Sequence, residues 1–176
     1  MVAPTSDGRL IDDDAGTACI YRLPIVKSKM RIDKPQPAST PCLCNALRRA
    51  SRAVSRLYDE ELRGVGLRTT QYSLLSLLGR VGEVRQRELS GLTLLDETTL
   101  TRALRPLVES GWVAVRAGED RREKWVAITE AGAAKLDQAR PAWERAQQRM
   151  RALLPEGVWQ ELMAVLPDVA RRTAEA

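Results

Sequence analysis

Three groups of side chains have the types and spacing to do chemistry. In the segment ETTLTRALR, Thr98, Thr99, Thr101, Arg102 and Arg105 are interleaved with leucines. Hydroxyls can hydrogen-bond phosphates or base edges, a threonine methyl fits a thymine methyl, and a guanidinium forks onto guanine. Further on, Glu119, Asp120, Arg121, Arg122, Glu123 and Lys124 form an unbroken charged run. An arginine at such a tip suits a narrow minor groove, with Asp120 placed to steer the Arg122 guanidinium. By itself the run reads as a solvated turn; directly after a helix-turn-helix it reads as a DNA contact. The third group is Cys42 and Cys44. Cys44 belongs to the first turn of an expected helix, where the dipole favours a thiolate, and Arg48 follows one turn on. The two cysteines point to nearly opposite sides of a helix, so a bond between them needs local unwinding; a bridge to another subunit or a small thiol is easier. The competing reading makes them inert small apolar residues at a helix seam. No third ligand accompanies them, which argues against a metal site.

What the composition lacks narrows the field. None of the 176 residues is histidine, which excludes Ser-His-Asp and Cys-His catalysis, histidine-ligated metals and imidazole switching. A cysteine enzyme would have to activate its thiol through arginine and a helix dipole alone, so no enzyme is expected. There is no phenylalanine, with four Trp and three Tyr, too few aromatics for a single-strand stacking platform. Neither G-x-G-x-x-G nor G-x-x-x-x-G-K occurs, no apolar run reaches the roughly 18 residues of a membrane span, and no secretory apolar region opens the chain. Three cysteines are too few for a disulfide framework. The expected setting is therefore cytoplasmic, with no cofactor and no membrane partner. The net charge is +5 and 23 of the 28 basic residues are arginine. Arginine suits phosphate and base recognition, and a biased genome composition inflates it too. Residues 65–130 hold ten basic and nine acidic side chains, so the placement of the arginines carries more than their sum.

The elements that must position these groups follow from periodicity. Residues 1–40 sustain neither a helical nor a strand period and read as a flexible leader. From there Leu43, Leu47, Ala50, Val54 and Leu57 draw one stripe down a helix over 41–64. A second helix is expected from Thr69 or Thr70, both good caps, to near Gly82, and a short third over Arg85 to Ser90. After a turn at 91–95, Asp96 caps a fourth helix with Leu100, Leu104, Leu107 and Val108 on one face, closed by Gly111. Pro106 in that helix removes a backbone bond and is expected to bend it. WVAVRAG and KWVAIT then read as two strands of a hairpin with the charged run at its tip. Thr129 caps a fifth helix whose Leu136, Ala139, Trp143, Ala146, Met150 and Leu153 form a heptad-type seam, with a kink expected at Pro141. Pro155 opens a last helix carrying Val158, Trp159, Leu162, Val165, Leu166 and Val169.

The fold class is therefore mainly α with a small β-hairpin: a winged helix-turn-helix over 65–130, and a helical dimerisation region built from 41–64 and 131–176. The seams of the last two helices call for a partner surface. The strings GLRTTQYSLLSLLG, RELSGLTLLDETTLTRALRPLVESGWV, DRR followed by VAITEAG, and ARPAWERAQ resemble the MarR (multiple antibiotic resistance regulator) family of transcription regulators. The resemblance covers about three quarters of the chain. It implies a homodimer on a pseudo-palindromic operator of double-stranded DNA, usually a repressor. It gives the reading role to Thr98, Thr99, Thr101 and Arg102, and the wing role to Asp120 and Arg122. It also implies release by a small-molecule inducer or by thiol oxidation. The first helix resembles the organic-hydroperoxide-sensing branch: Cys44 stands at its reactive cysteine and Tyr58 at one of its thiol-supporting tyrosines, while Arg48 and Thr69 replace two others. The alternative reading is a winged helix that binds protein without DNA readout.

Overall fold

The computed structural model describes residues 42–120 and 123–175. The expected leader over 1–40 lies outside the described residues, as do Arg121 and Arg122. The elements run α1 (Leu43–Leu62), a 3-10 turn (Arg63–Val65), α2 (Thr69–Val81), β1 (Val84–Arg85), α3 (Gln86–Thr93), α4 (Glu97–Glu109), β2 (Val113–Ala117), β3 (Lys124–Ile128), α5 (Glu130–Leu153) and α6 (Val158–Ala174). The chain is mainly helical with a small antiparallel sheet, as the periodicities require. The sheet has three strands in the order β1-β3-β2 rather than the two of a bare hairpin. Val84 and Arg85 pair with Val126 and Trp125, so Arg85 ends a strand instead of opening the third helix.

The core belongs to the middle of the chain. Leu62, Leu75, Leu78, Leu89, Leu100, Leu107 and Val126 are fully buried, with Leu67, Leu74, Leu104 and Val113 close behind. Each such side chain contributes roughly 2 kcal/mol on leaving water. The fifth helix joins this core: Ala139 and Ala142 are buried within it, Leu136 and Trp143 pack against it, and Trp143 stacks on Tyr72 with ring centroids 5.7 Å apart. That corrects the expectation for the seam at 136–153. Its N-terminal half is already covered by the chain's own α1 and α2, whose apolar faces it meets. Both α4 and α5 run unbroken through Pro106 and Pro141, and α6 begins at Val158 behind Gly157, not at Pro155.

The start of α2 is held differently from a simple threonine cap. Arg68 is its N-cap residue, and its backbone N–H donates to Gln71 Oε1 at 2.9 Å. Thr69 instead reaches back to α1: its N–H and its hydroxyl both donate to Asp59 Oδ1, at 2.6 and 2.7 Å. One carboxylate thereby satisfies an orphan amide of the helix start and ties two helices together.

The two ends of the chain are the reverse of the core. Of the α1 stripe, Leu43 is 66% exposed and Leu47 37%; only Tyr58 and Leu62, in the last two turns, are buried. No residue of α6 is buried, and Leu162, Met163, Val165 and Leu166 stand in solvent. Apolar faces of this size on a single chain mark surfaces that need covering.

Candidate nucleic-acid interface

Asp96 starts α4. Its Oδ1 accepts the backbone N–H of Thr99 at 2.9 Å and its Oδ2 accepts the Thr99 hydroxyl at 2.6 Å. These bonds, the side-chain one foremost, hold the Asp96 carboxyl below its ordinary range. From that fixed start the 3.6 period sends Leu100, Leu104 and Leu107 into the core and leaves Thr98, Thr99, Thr101, Arg102 and Arg105 exposed. All five residues singled out in the sequence therefore share the outer surface of one helix. Arg105 makes a loose pair with Glu109 at 3.5 Å, both largely exposed, an interaction worth little in water. The turn before α4 ends α3 on Leu94, which takes a left-handed φ of 53°.

In front of α4 lies an open groove of about 1100 Å³. Thr98, Thr101 and Arg102 line it from α4; Arg85, Gln86 and Arg87 line it from β1 and the start of α3, and Lys124 from the wing. Sequence reasoning missed Arg85, Gln86 and Arg87, while Lys124 belongs to the charged run already singled out. The signal for those three was present in the string VRQRE: basic residues at the N-terminal end of the first helix of a helix-turn-helix lie on the same side as the outer face of its second helix. Glu88, Glu97 and Glu123 share the groove, so its charge is mixed and specificity has to come from geometry.

The wing is braced at its base. Trp125 is the cross-strand neighbour of Arg85 on one side and of Arg116 on the other. Both guanidinium carbons lie over its ring, at 5.2 and 5.3 Å from the centroid. Arg116 also grips Glu83 through two bonds of 2.7 and 2.6 Å, which lowers the Glu83 carboxyl and raises Arg116. Gly118 fits closely here: a Cβ on it would sit 3.0 Å from both Glu123 Cβ and Trp125 Nε1, so those side chains would have to give way. At the tip, the Asp120 carbonyl accepts the N–H of Glu123 at 2.8 Å, closing the turn. Arg121 and Arg122, the expected minor-groove residues, lie outside the described residues.

The thiol group is spread along α1. Cys42 is the N-cap residue and Cys44 lies in the first turn, both exposed. Tyr58 is buried near the other end, where burial raises its hydroxyl pKa against the pull of Arg151. Fourteen positions at 1.5 Å per residue separate Cys44 from Tyr58 by about 21 Å, so one chain does not bring them together. Thr69, where the hydroperoxide-sensing branch has a tyrosine, is spent on Asp59. Among the described residues there is no cluster of metal ligands and no helix long and apolar enough to cross a membrane.

Comparison with known proteins agrees with this geometry. Residues 67–124 match the MarR family profile. Over 96 residues the chain is 32% identical to YwoH, an uncharacterized HTH-type transcriptional regulator of Bacillus subtilis, covering 54% of this chain and 70% of the relative. The fold resembles that of the M. tuberculosis transcriptional regulator MosR, solved in complex with DNA, with a TM-score of 0.69 and 32% identity over 77% of this chain and 98% of that one. It also resembles a cysteine-to-serine mutant of MarR from E. coli solved with operator DNA, with a TM-score of 0.64 and 25% identity over 72% and 92% of the two chains.

Proposed function

This chain belongs to the MarR family and is a DNA-binding transcriptional regulator rather than an enzyme; beyond that, we propose that it acts in the cytoplasm as a homodimer that reads a pseudo-palindromic operator with α4 and represses transcription until a signal releases it. The observation that carries the reading is the outer face of α4, with three threonines and two arginines in solvent above leucines locked in the core. A helix presented this way enters a major groove, and its two-fold mate enters the next. The apolar faces of α1 and α6 supply the surface that joins the two copies. Release works through a small molecule held between the dimer and DNA-binding parts, or through oxidation of exposed Cys44 to a bridge with a second thiol. In the oxidation route Tyr58 has to come from the partner subunit, because within one chain it is a helix length away.

Operator binding should weaken steeply with salt, as the contacted phosphates regain their counterions. Arg102→Ala should lose about 10- to 100-fold for the operator and much of its preference over random duplex, whereas Arg122→Ala should weaken both duplexes alike. Fluorescence anisotropy across a salt series checks both. Salt-independent binding would contradict phosphate neutralisation, and full selectivity in the Arg102 variant would remove α4 from the reading role. A Cys44→Ser protein that organic hydroperoxide still releases from DNA would leave the ligand route alone standing.

A further inference from the structure

Two hydrogen bonds settle the side chain of Thr101 before any duplex arrives. Its hydroxyl donates to the Glu97 carbonyl one turn back, at 2.7 Å. It also accepts from Nε2 of Gln86, the first residue of α3, at 2.9 Å. A hydroxyl carries a single proton, so Thr101 has no donor left for a phosphate or a base edge. Thr99 has spent its proton in the same way on Asp96. What exposed Thr101 still offers the groove is its methyl group and a single acceptor lone pair on an oxygen already held between Glu97 and Gln86. Turning the oxygen onto the preceding turn fixes χ1, and Gln86 adds an anchor from a different helix, fifteen residues away. We propose that Thr101 reads the 5-methyl group of a thymine in each half-site, and that Gln86 is the positioning residue that keeps the methyl on the groove side. The proposal rests on the reading of α4 as the recognition helix. Within that reading it divides the three threonines: Thr98 is the polar reader, Thr99 belongs to the helix cap, and Thr101 makes an apolar contact.

The test uses the full-length protein and an operator selected by it from random duplexes, with each thymine replaced in turn by uracil, which lacks only the methyl. One thymine per half-site should be sensitive, losing about fourfold in affinity, the worth of one methyl group withdrawn from water. Thr101→Ser keeps the hydroxyl and both hydrogen bonds but has no methyl, and should bind thymine and uracil equally at that position. Thr101→Val should keep the discrimination, since its preferred helical rotamer fills the same two positions. Gln86→Ala should shrink the discrimination below about twofold while melting temperature stays unchanged; in the Thr101→Val background the same change should leave the thymine-to-uracil ratio as it is. Retained discrimination in Thr101→Ser, or a selective wild-type protein indifferent to uracil everywhere, overturns the methyl contact and leaves α4 as the reading helix. A wild-type protein that selects no duplex sequence overturns both.

Discussion

Gly132 sits in the first turn of α5, directly beneath the start of β2. A Cβ there would lie 2.0 Å from the Trp112 carbonyl oxygen and 2.9 Å from Ile128 Cγ1. The same carbonyl accepts the N–H of Thr129 at 3.0 Å, so it cannot swing away without losing a bond at the helix start. Gly132→Ala should therefore destabilise the fold by about 2–3 kcal/mol, read as a lower denaturant midpoint at unchanged slope. An unchanged midpoint would show that the helix start can move. At this scale the outward placement of the proposed reading residues was legible in the sequence: an apolar period of 3.6 leaves Thr98, Thr99, Thr101, Arg102 and Arg105 outward by subtraction. What each hydroxyl does was not legible. Thr99 answers to a residue three positions back, but Thr101 answers to Gln86 on another helix, and no local spacing encodes that contact. Arg85 and Arg87 were missed for a related reason, since only the fold brings β1, α3 and the wing to one groove.

Among the elements, the contact between α1 and α5 carries its own charge cluster. Glu61 accepts from Arg149 at 3.0 Å and from Arg145 at 3.3 Å, and Glu60 accepts from Arg149 at 3.2 Å. Arg149 first, then Arg145, hold the Glu61 carboxyl below its ordinary 4.5, as Arg116 does for Glu83. A carboxylate lowered by folding gives stability that is complete above its ordinary pKa and lost as pH falls through the folded value. The melting temperature should thus hold from neutrality to about pH 5 and fall below pH 4.5, with a smaller fall in Glu61→Gln. An equal fall in both proteins would remove this cluster from the acid response. Long amphipathic elements such as α1, α4 and α5 were readable because many residues vote for one period. The strand β1 was not, having two residues and a partner in β3 some forty positions later. The start of α2 was misread because Thr69, a good cap by type, is drawn instead to Asp59.

For the molecule as a whole, the exposed faces of α1 and α6 are the surfaces on which the proposed dimer rests. Leu162, Met163, Val165 and Leu166 are between 38% and 56% exposed, and α6 contributes no buried residue. A charge placed there costs the single chain little, but in the proposed symmetric interface it is buried twice against the apolar surface of the partner. Leu166→Glu should shift the protein from dimer to monomer in light scattering, with its helical content intact and its operator affinity much reduced. A variant that remains dimeric would place the interface elsewhere. The sequence showed that these stripes exist; it did not show which were already covered at home, because Ala139, Trp143 and Ala146 look the same in a heptad whether they meet a neighbouring helix or a second chain.

One helix, α5, touches both halves of this arrangement. Its first turn is wedged under the wing at Trp112, and its far half is clamped to α1 by Arg145 and Arg149. Its 24 residues make a rod of about 36 Å. A tilt of about 5° over that length displaces the far end by about 3 Å, close to the rise of one base pair. In the proposed dimer, a small disturbance at the clamped end would be enough to throw the two reading heads out of step with the grooves, without unfolding anything.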